Sequence, residues 1–171
     1  MQQLQVFGDG RLSADKNGGA SNTPDTKFCI ASLGKMFTAV AVAQLVQNGK
    51  LSFEDTVGKY VPGFPAKISD KITVDQLLTH TSGLGDAALR PERTAGPATT
   101  TGALLRKITK EPLQFEPGSR FGYSNDGFIV LGAIIERITG EHYRGYAVVI
   151  LANQDQVLVP AVRRSEEMLT R

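Results

Sequence analysis

Two side chains able to do acyl chemistry stand three residues apart at the start of the most apolar run in the chain. Ser32 offers a hydroxyl nucleophile and Lys35 an amine, and the stretch that follows, Met36 to Val46, has the composition of a buried helix. At this spacing on one helical turn the two share a face, so the amine can take the hydroxyl proton during attack on an acyl carbon. Spacing alone is a weak signal. Ser13-Ala14-Asp15-Lys16 has the same form but sits among Gly10, Asn17, Gly18, Gly19 and Asn22, a loop composition, and is assigned no chemistry.

Ser32 has two open readings. Serine is a favoured helix N-cap, which would make it structural. Lys35 argues for the other reading: a cation in the first turn opposes the helix macrodipole and beside a packed core it loses hydration, so it is badly placed unless a neighbour uses it. Met36, Phe37, Val40, Ala41, Val42, Ala43, Leu45 and Val46 leave no polar stripe. That pattern predicts a helix from about Ser32 to Asn48, buried on every side and ended by Gly49.

A second constellation, Tyr123-Ser124-Asn125, lies between a turn at Phe115-Glu116-Pro117-Gly118 and a second apolar helix, Gly127 to Thr139, capped by Gly140. It projects a phenol and an amide from a loop held at both ends. Here too a structural reading stays open, with Ser124 or Asn125 as the helix N-cap and Tyr123 as a half-buried aromatic.

The elements that must position these groups follow from punctuation and periodicity. Leu4 to Phe7 reads as a short strand and the stretch to Pro24 as irregular surface. Leu51 to Pro65 is a loop with at most one short helix at Glu54 to Tyr60. Thr73-Val74-Asp75-Gln76 is a capping box that starts a brief helix stopping at His80-Thr81-Ser82-Gly83. Asp86 to Thr101 reads as a surface excursion, Leu104 to Thr109 as a helix halted by Pro112, Tyr146 to Ala152 as a strand, and Pro160 to Leu169 as a C-terminal helix.

Four stretches in order resemble the serine beta-lactamase-related family, which groups class C beta-lactamases, D-alanyl-D-alanine carboxypeptidases and family VIII esterases. They are Thr26 to Val40 around Ser32-Leu33-Gly34-Lys35; Gly49-Lys50-Leu51-Ser52-Phe53-Glu54-Asp55; Leu77-Leu78-Thr79-His80-Thr81-Ser82-Gly83-Leu84; and Phe115-Glu116-Pro117-Gly118 through Tyr123-Ser124-Asn125. Together they span about Thr23 to Tyr143.

The resemblance implies that Ser32 is the acylated nucleophile and Lys35 its proton-accepting partner. Tyr123 would be a base, later an acid, sharing the proton with Lys35, and Asn125 would orient Lys35 and bind substrate. The Ser32 backbone N–H would supply half of an oxyanion hole. His80 has no catalytic part in that pattern; its motif resembles a structural turn beneath the site.

The family's third motif, Lys or His followed by a small residue and Gly on a strand walling the pocket, has no match. His142-Tyr143-Arg144-Gly145 has the wrong spacing, and Thr100-Thr101-Gly102 lacks the base. After Tyr143 the chain passes at once to Gly145 to Asn153, which resembles the family's last strand. The expected architecture is therefore α/β of the α+β type: a reduced beta-lactamase/transpeptidase-like fold, helix-rich with a small antiparallel sheet, in one internally shortened domain over residues 1–171. A sheet so reduced leaves open edges, which predicts a homo-oligomer formed through sheet edges or strand exchange.

With 171 residues, 41% hydrophobic, the chain can bury a core. Its net charge of +2, with no run of Lys or Arg longer than two, indicates neither a nucleic-acid groove nor a membrane surface. Cys29 is the single cysteine and reads as a small buried hydrophobe; with His80 and His142 far apart, no metal-ligand cluster and no cofactor is implied. The N-terminus has no signal-peptide pattern, so a complete chain would be cytoplasmic.

These observations lead to a serine hydrolase of small acyl esters, with beta-lactams or D-amino-acid peptides as related amide substrates. The competing expectation is a non-catalytic scaffold or binding module that keeps the two apolar helices without a working pocket. An excised or engineered piece of a larger enzyme is the third reading.

Overall fold

The computed structural model describes residues 31–89 and 100–143, without the side chains of Lys67 and Leu89. The chain divides into two units, Met1–Ser32 and Leu33–Arg171. Of the first, only Ala31 and Ser32 are described, in a 3-10 turn, Ala31–Leu33, that leads along the chain into the first helix. The strands expected at Leu4 to Phe7 and Tyr146 to Ala152, the C-terminal helix and Cys29 all lie outside the described residues.

The second unit is helical in its described part. Its helices are α1 (Gly34–Gln47), α2 (Ala66–Ser69), α3 (Val74–Leu78), α4 (Thr101–Ile108) and α5 (Asn125–Thr139), with 3-10 turns at Val57–Lys59 and Ala87–Leu89. Among the described residues the one β pairing outside a strand is an antiparallel bridge between Thr56 and Thr73. None of the described helices is long and apolar enough to cross a membrane.

Helix α5 is the centre of this unit, and α1, α3 and α4 all pack on it. Its Val130, Leu131, Ile134 and Ile135 are fully buried. Each such side chain contributes about 1.5–3 kcal/mol of burial, so this stripe supplies a large share of the cohesion of the unit. Val42 and Leu45 of α1, Val74 and Leu77 of α3 and Ile108 of α4 join it in the core, together with Val57 and Ile72.

Helix α1 corrects an expectation. Thr38, Ala41, Val42 and Leu45 are buried, but Met36 is 58% exposed and Ala43 is exposed as well. Only one of its faces enters the core. An apolar run without a polar stripe does not say which face packs, and here it is α5, whose buried face is wider, that fills the interior.

Helix boundaries follow local chemistry. Helix α1 ends in a Schellman arrangement, with Lys50 N–H on the Leu45 carbonyl and Gly49 N–H on the Val46 carbonyl, both 2.9 Å. Gly49 supplies the positive φ of 67° that this closure requires. The capping box is present at α3, where Gln76 N–H donates to Thr73 Oγ1 and Thr73 N–H to Gln76 Oε1.

A further correction concerns the stretch after Asp86. Ala87 and Ala88 are buried, and their N–H groups donate to Asp126 Oδ2 and Oδ1 at 2.7 and 3.0 Å. Asp126 is itself 1% exposed, in the first turn of α5, where a carboxylate also meets the positive end of the helix dipole. The excursion is thus pinned at its start, and α4 begins at Thr101 with Thr100 as its N-cap.

Candidate active site

Ser124 settles which residue of the Tyr-Ser-Asn loop does structural work. It is the N-cap of α5, its Oγ accepting from Gly127 N–H at 3.0 Å and donating to the Gly85 carbonyl at 2.8 Å. With the cap supplied by its neighbour, Asn125 keeps its side chain for another partner. That partner is Lys35: Nζ donates to Asn125 Oδ1 at 2.6 Å.

The same Oδ1 lies 3.5 Å from the Tyr123 hydroxyl, which donates to it. Lys35 Nζ also sits 4.9 Å from the centre of the Tyr123 ring and 5.5 Å from that of Phe128, within cation–π range of both rings. Lys35, Tyr123 and Asn125 are therefore brought together, from the first turn of α1 and the entry to α5. Lys35 and Asn125 are half-buried, while Tyr123 is 45% exposed.

Ser32 is exposed, in the Ala31–Leu33 turn. It does not cap α1: the N-cap is Leu33, and no side-chain bond caps that helix. The capping explanation for this serine is thereby removed. Ala31 before it holds φ at 43°, in the left-handed region that a residue with a Cβ adopts only at a cost.

The loop carrying Tyr123 rests on the turn His80-Thr81-Ser82-Gly83. Gln114 N–H donates to the Gly83 carbonyl, Gly118 N–H to Thr81 and Gly122 N–H to His80, each at 2.8 Å. Gly83 is required there, since a Cβ would stand 2.3 Å from the Phe115 carbonyl oxygen and its φ is 78°. The expectation of a structural turn beneath the site matches this geometry.

His80 stacks under Tyr123 and is half-buried. Burial holds its imidazole below the usual histidine range, the Lys35 charge adds to the effect, and Asp86 opposes it.

Two carboxylates at the site have no counterpart in the expectations from sequence. Asp86 Oδ1 accepts from Asn125 N–H at 2.6 Å, and Asp126 holds the residues that follow Asp86. Each ties the first turn of α5 to the chain after Gly85. A carboxylate among the first residues of an otherwise apolar helix was the available sign for Asp126; Asp86 left none.

Within this unit an amine, a phenol and a carboxamide therefore meet around one oxygen, Asn125 Oδ1. The family model described as Beta-lactamase matches residues 3–148, and the chain belongs to that family. It is 35% identical over 142 residues to Protein flp of Staphylococcus aureus, covering 81% of this chain and 28% of that protein. It is 34% identical over 148 residues to Esterase EstB of Burkholderia gladioli, covering 75% of this chain and 36% of that one. The structure of a penicillin binding protein from Bacillus halodurans superposes with a TM-score of 0.66 at 35% identity, over 75% of this chain and 40% of the other. The chain thus spans about a third of the length of these curated relatives.

Proposed function

We propose that the chain is a serine hydrolase that acts on small acyl esters through an acyl-enzyme on Ser32. The observation that carries this reading is the shared Asn125 oxygen, which brings Lys35 and Tyr123 together across two motifs far apart in sequence. With one member of the Lys35–Tyr123 pair unprotonated, Ser32 Oγ attacks the acyl carbon and gives that member its proton, which then passes to the departing alkoxide as the ester bond breaks. Water then enters by the same relay in reverse, cleaving the acyl–Ser32 bond and returning the proton to Ser32. Asn125 fixes the Lys35 amine and offers its amide nitrogen to the substrate carbonyl.

An ester with an apolar acyl or leaving group is supported by the exposed side chains around these motifs. Leu33 and Met36 flank Lys35 in sequence at 60% and 58% exposure, and Phe121 precedes Tyr123 at 65%. Large apolar groups left in water beside a polar cluster suit a partly apolar ligand. The esterase among the relatives supports the same class.

Mass spectrometry after exposure to a fluorophosphonate and to a penicillin tests the proposal. One adduct per chain, mapped to Ser32 and absent from Ser32→Ala, is expected. A folded parent that takes no adduct makes the chain a scaffold rather than a catalyst.

A further inference from the structure

Tyr123 is bracketed by bonds to a single residue. Gly122 N–H, just before it, donates to the His80 carbonyl at 2.8 Å, and Ser124 N–H, just after it, donates to His80 Nδ1 at 3.1 Å. Between those bonds the two rings lie tilted against each other, centroids 4.6 Å apart and planes 33° from parallel. Phe128 and Phe121 enclose the imidazole further, at 5.2 and 5.8 Å.

For one residue to offer both its carbonyl and its ring to the same three-residue segment, the backbone must turn sharply. His80 does so at φ 58°. Histidine is among the residues that enter this region most readily, though still at a cost. An accepting Nδ1 needs a lone pair, so the ring is neutral with its proton on Nε2.

We propose that His80 is the positioning residue for the Tyr123 phenol, working only as the neutral Nε2–H tautomer, so that its protonation sets the acid limit of the reaction. A proton on Nδ1 would turn an acceptor into a donor facing the Ser124 N–H and would release one side of the bracket. The charged and titratable groups facing the ring are Lys35 from α1, Asp86 from the loop after Gly85, and Tyr123 itself. Lys35 disfavours a second cation, Asp86 favours it, and burial weighs with Lys35, so the neutral ring persists below the ordinary histidine midpoint of 6.5.

The kinetic half of this inference rests on the Ser32 reading; the structural half does not. The kinetic test is the second-order rate of fluorophosphonate labelling against pH for the parent, His80→Asn and His80→Ala. Asparagine tolerates the left-handed backbone, can accept from Ser124 N–H and does not titrate. His80→Asn should label at neutral pH within about tenfold of the parent, with its acid limb gone or displaced by at least about one pH unit. His80→Ala should fall about a hundredfold at every pH, the scale of a misplaced catalytic group.

A purely structural histidine would slow both variants and leave the acid limb where it was, and that result overturns the proposal. The structural test is a pH titration of the parent by NMR, following the imidazole nitrogens, the Ser124 amide and the Tyr123 ring. A common midpoint below 6.5 with Nδ1 unprotonated above it is expected. A proton on Nδ1 at neutral pH, or Tyr123 and Ser124 signals that ignore the His80 titration, refutes it whether or not the chain labels.

Discussion

Lys35 Nζ and Asn125 Oδ1 meet at 2.6 Å although 90 positions separate them in the chain. This contact joins the first turn of α1 to the first residue of α5, and the Tyr123 hydroxyl reaches the same oxygen. Two donors meet on one carboxamide oxygen, in a geometry that depends on Asn125 and on the two helix starts.

Asn125→Ala should therefore separate function from fold. Ser124 keeps the cap of α5, and alanine suits the first helical position, so the melting temperature should stay within about 2 °C of the parent. Lys35 loses the acceptor that fixes it, and labelling of Ser32 should fall about a hundredfold, the scale of misplacing a catalytic group by an ångström. An Asn125→Ala protein that labels at the parental rate removes Asn125 from the site.

Tyr123→Phe deletes one oxygen from a side chain that is 45% exposed, and Asn125 Oδ1 keeps its bond from Lys35, so stability should hardly change. The ring stacked on His80 remains. A group that transfers protons in the transition state is worth about 10²–10⁴ in rate, and labelling should fall by that much. Parental labelling by the variant would assign the proton relay to Lys35 alone.

The apolar spine and the helix ends were legible in sequence because each has a local cause. Thr73 and Gln76 satisfy each other's backbone, Gly49 and Gly140 supply positive φ, and the α5 stripe repeats at helical spacing. The bonds that assemble the site were less legible. Asp126 reaching Ala87 and Ala88, or Asp86 reaching Asn125, spans some 39 positions, and an aspartate looks the same in a sequence whether it faces water or two buried amides. The face of α1 that packs was hidden for another reason: an all-apolar helix carries no polar stripe to break the symmetry.

Gly83→Ala tests the platform under Tyr123. The new methyl would stand 2.3 Å from the Phe115 carbonyl oxygen, a backbone atom that cannot swing aside, and alanine would be held at φ 78°. Strain and displaced pairing together should cost about 3 kcal/mol, or roughly 6–12 °C in melting temperature. Because Gln114, Gly118 and Gly122 all donate to this turn, the Tyr123 loop should loosen with it. Amide hydrogen exchange should show lost protection at Gly118 and Gly122; unchanged protection would mean that the loop holds its shape without the turn.

The last prediction concerns acid stability, through Asp55. Its Oδ1 accepts from Lys59 Nζ at 2.7 Å, and its Oδ2 accepts from the Tyr60 hydroxyl at 2.6 Å and from Ser52 N–H at 2.8 Å. The Lys59 bond, followed by that of Tyr60, holds the carboxyl below its usual value of 3.8. A carboxyl whose folded value lies below its unfolded one adds stability that is complete above the unfolded value and is lost as pH falls through the folded one. Asp55→Asn should therefore be less stable than the parent at pH 7, and the gap should narrow as pH drops below about 4, where protonation removes the charge from the parent too. The loop from Ser52 to Tyr60 carries the Thr56–Thr73 bridge, so the same change should expose that segment first. Urea midpoints for both proteins between pH 7 and pH 2 decide the matter, because two curves that stay parallel over that range would leave Asp55 without a part in acid stability.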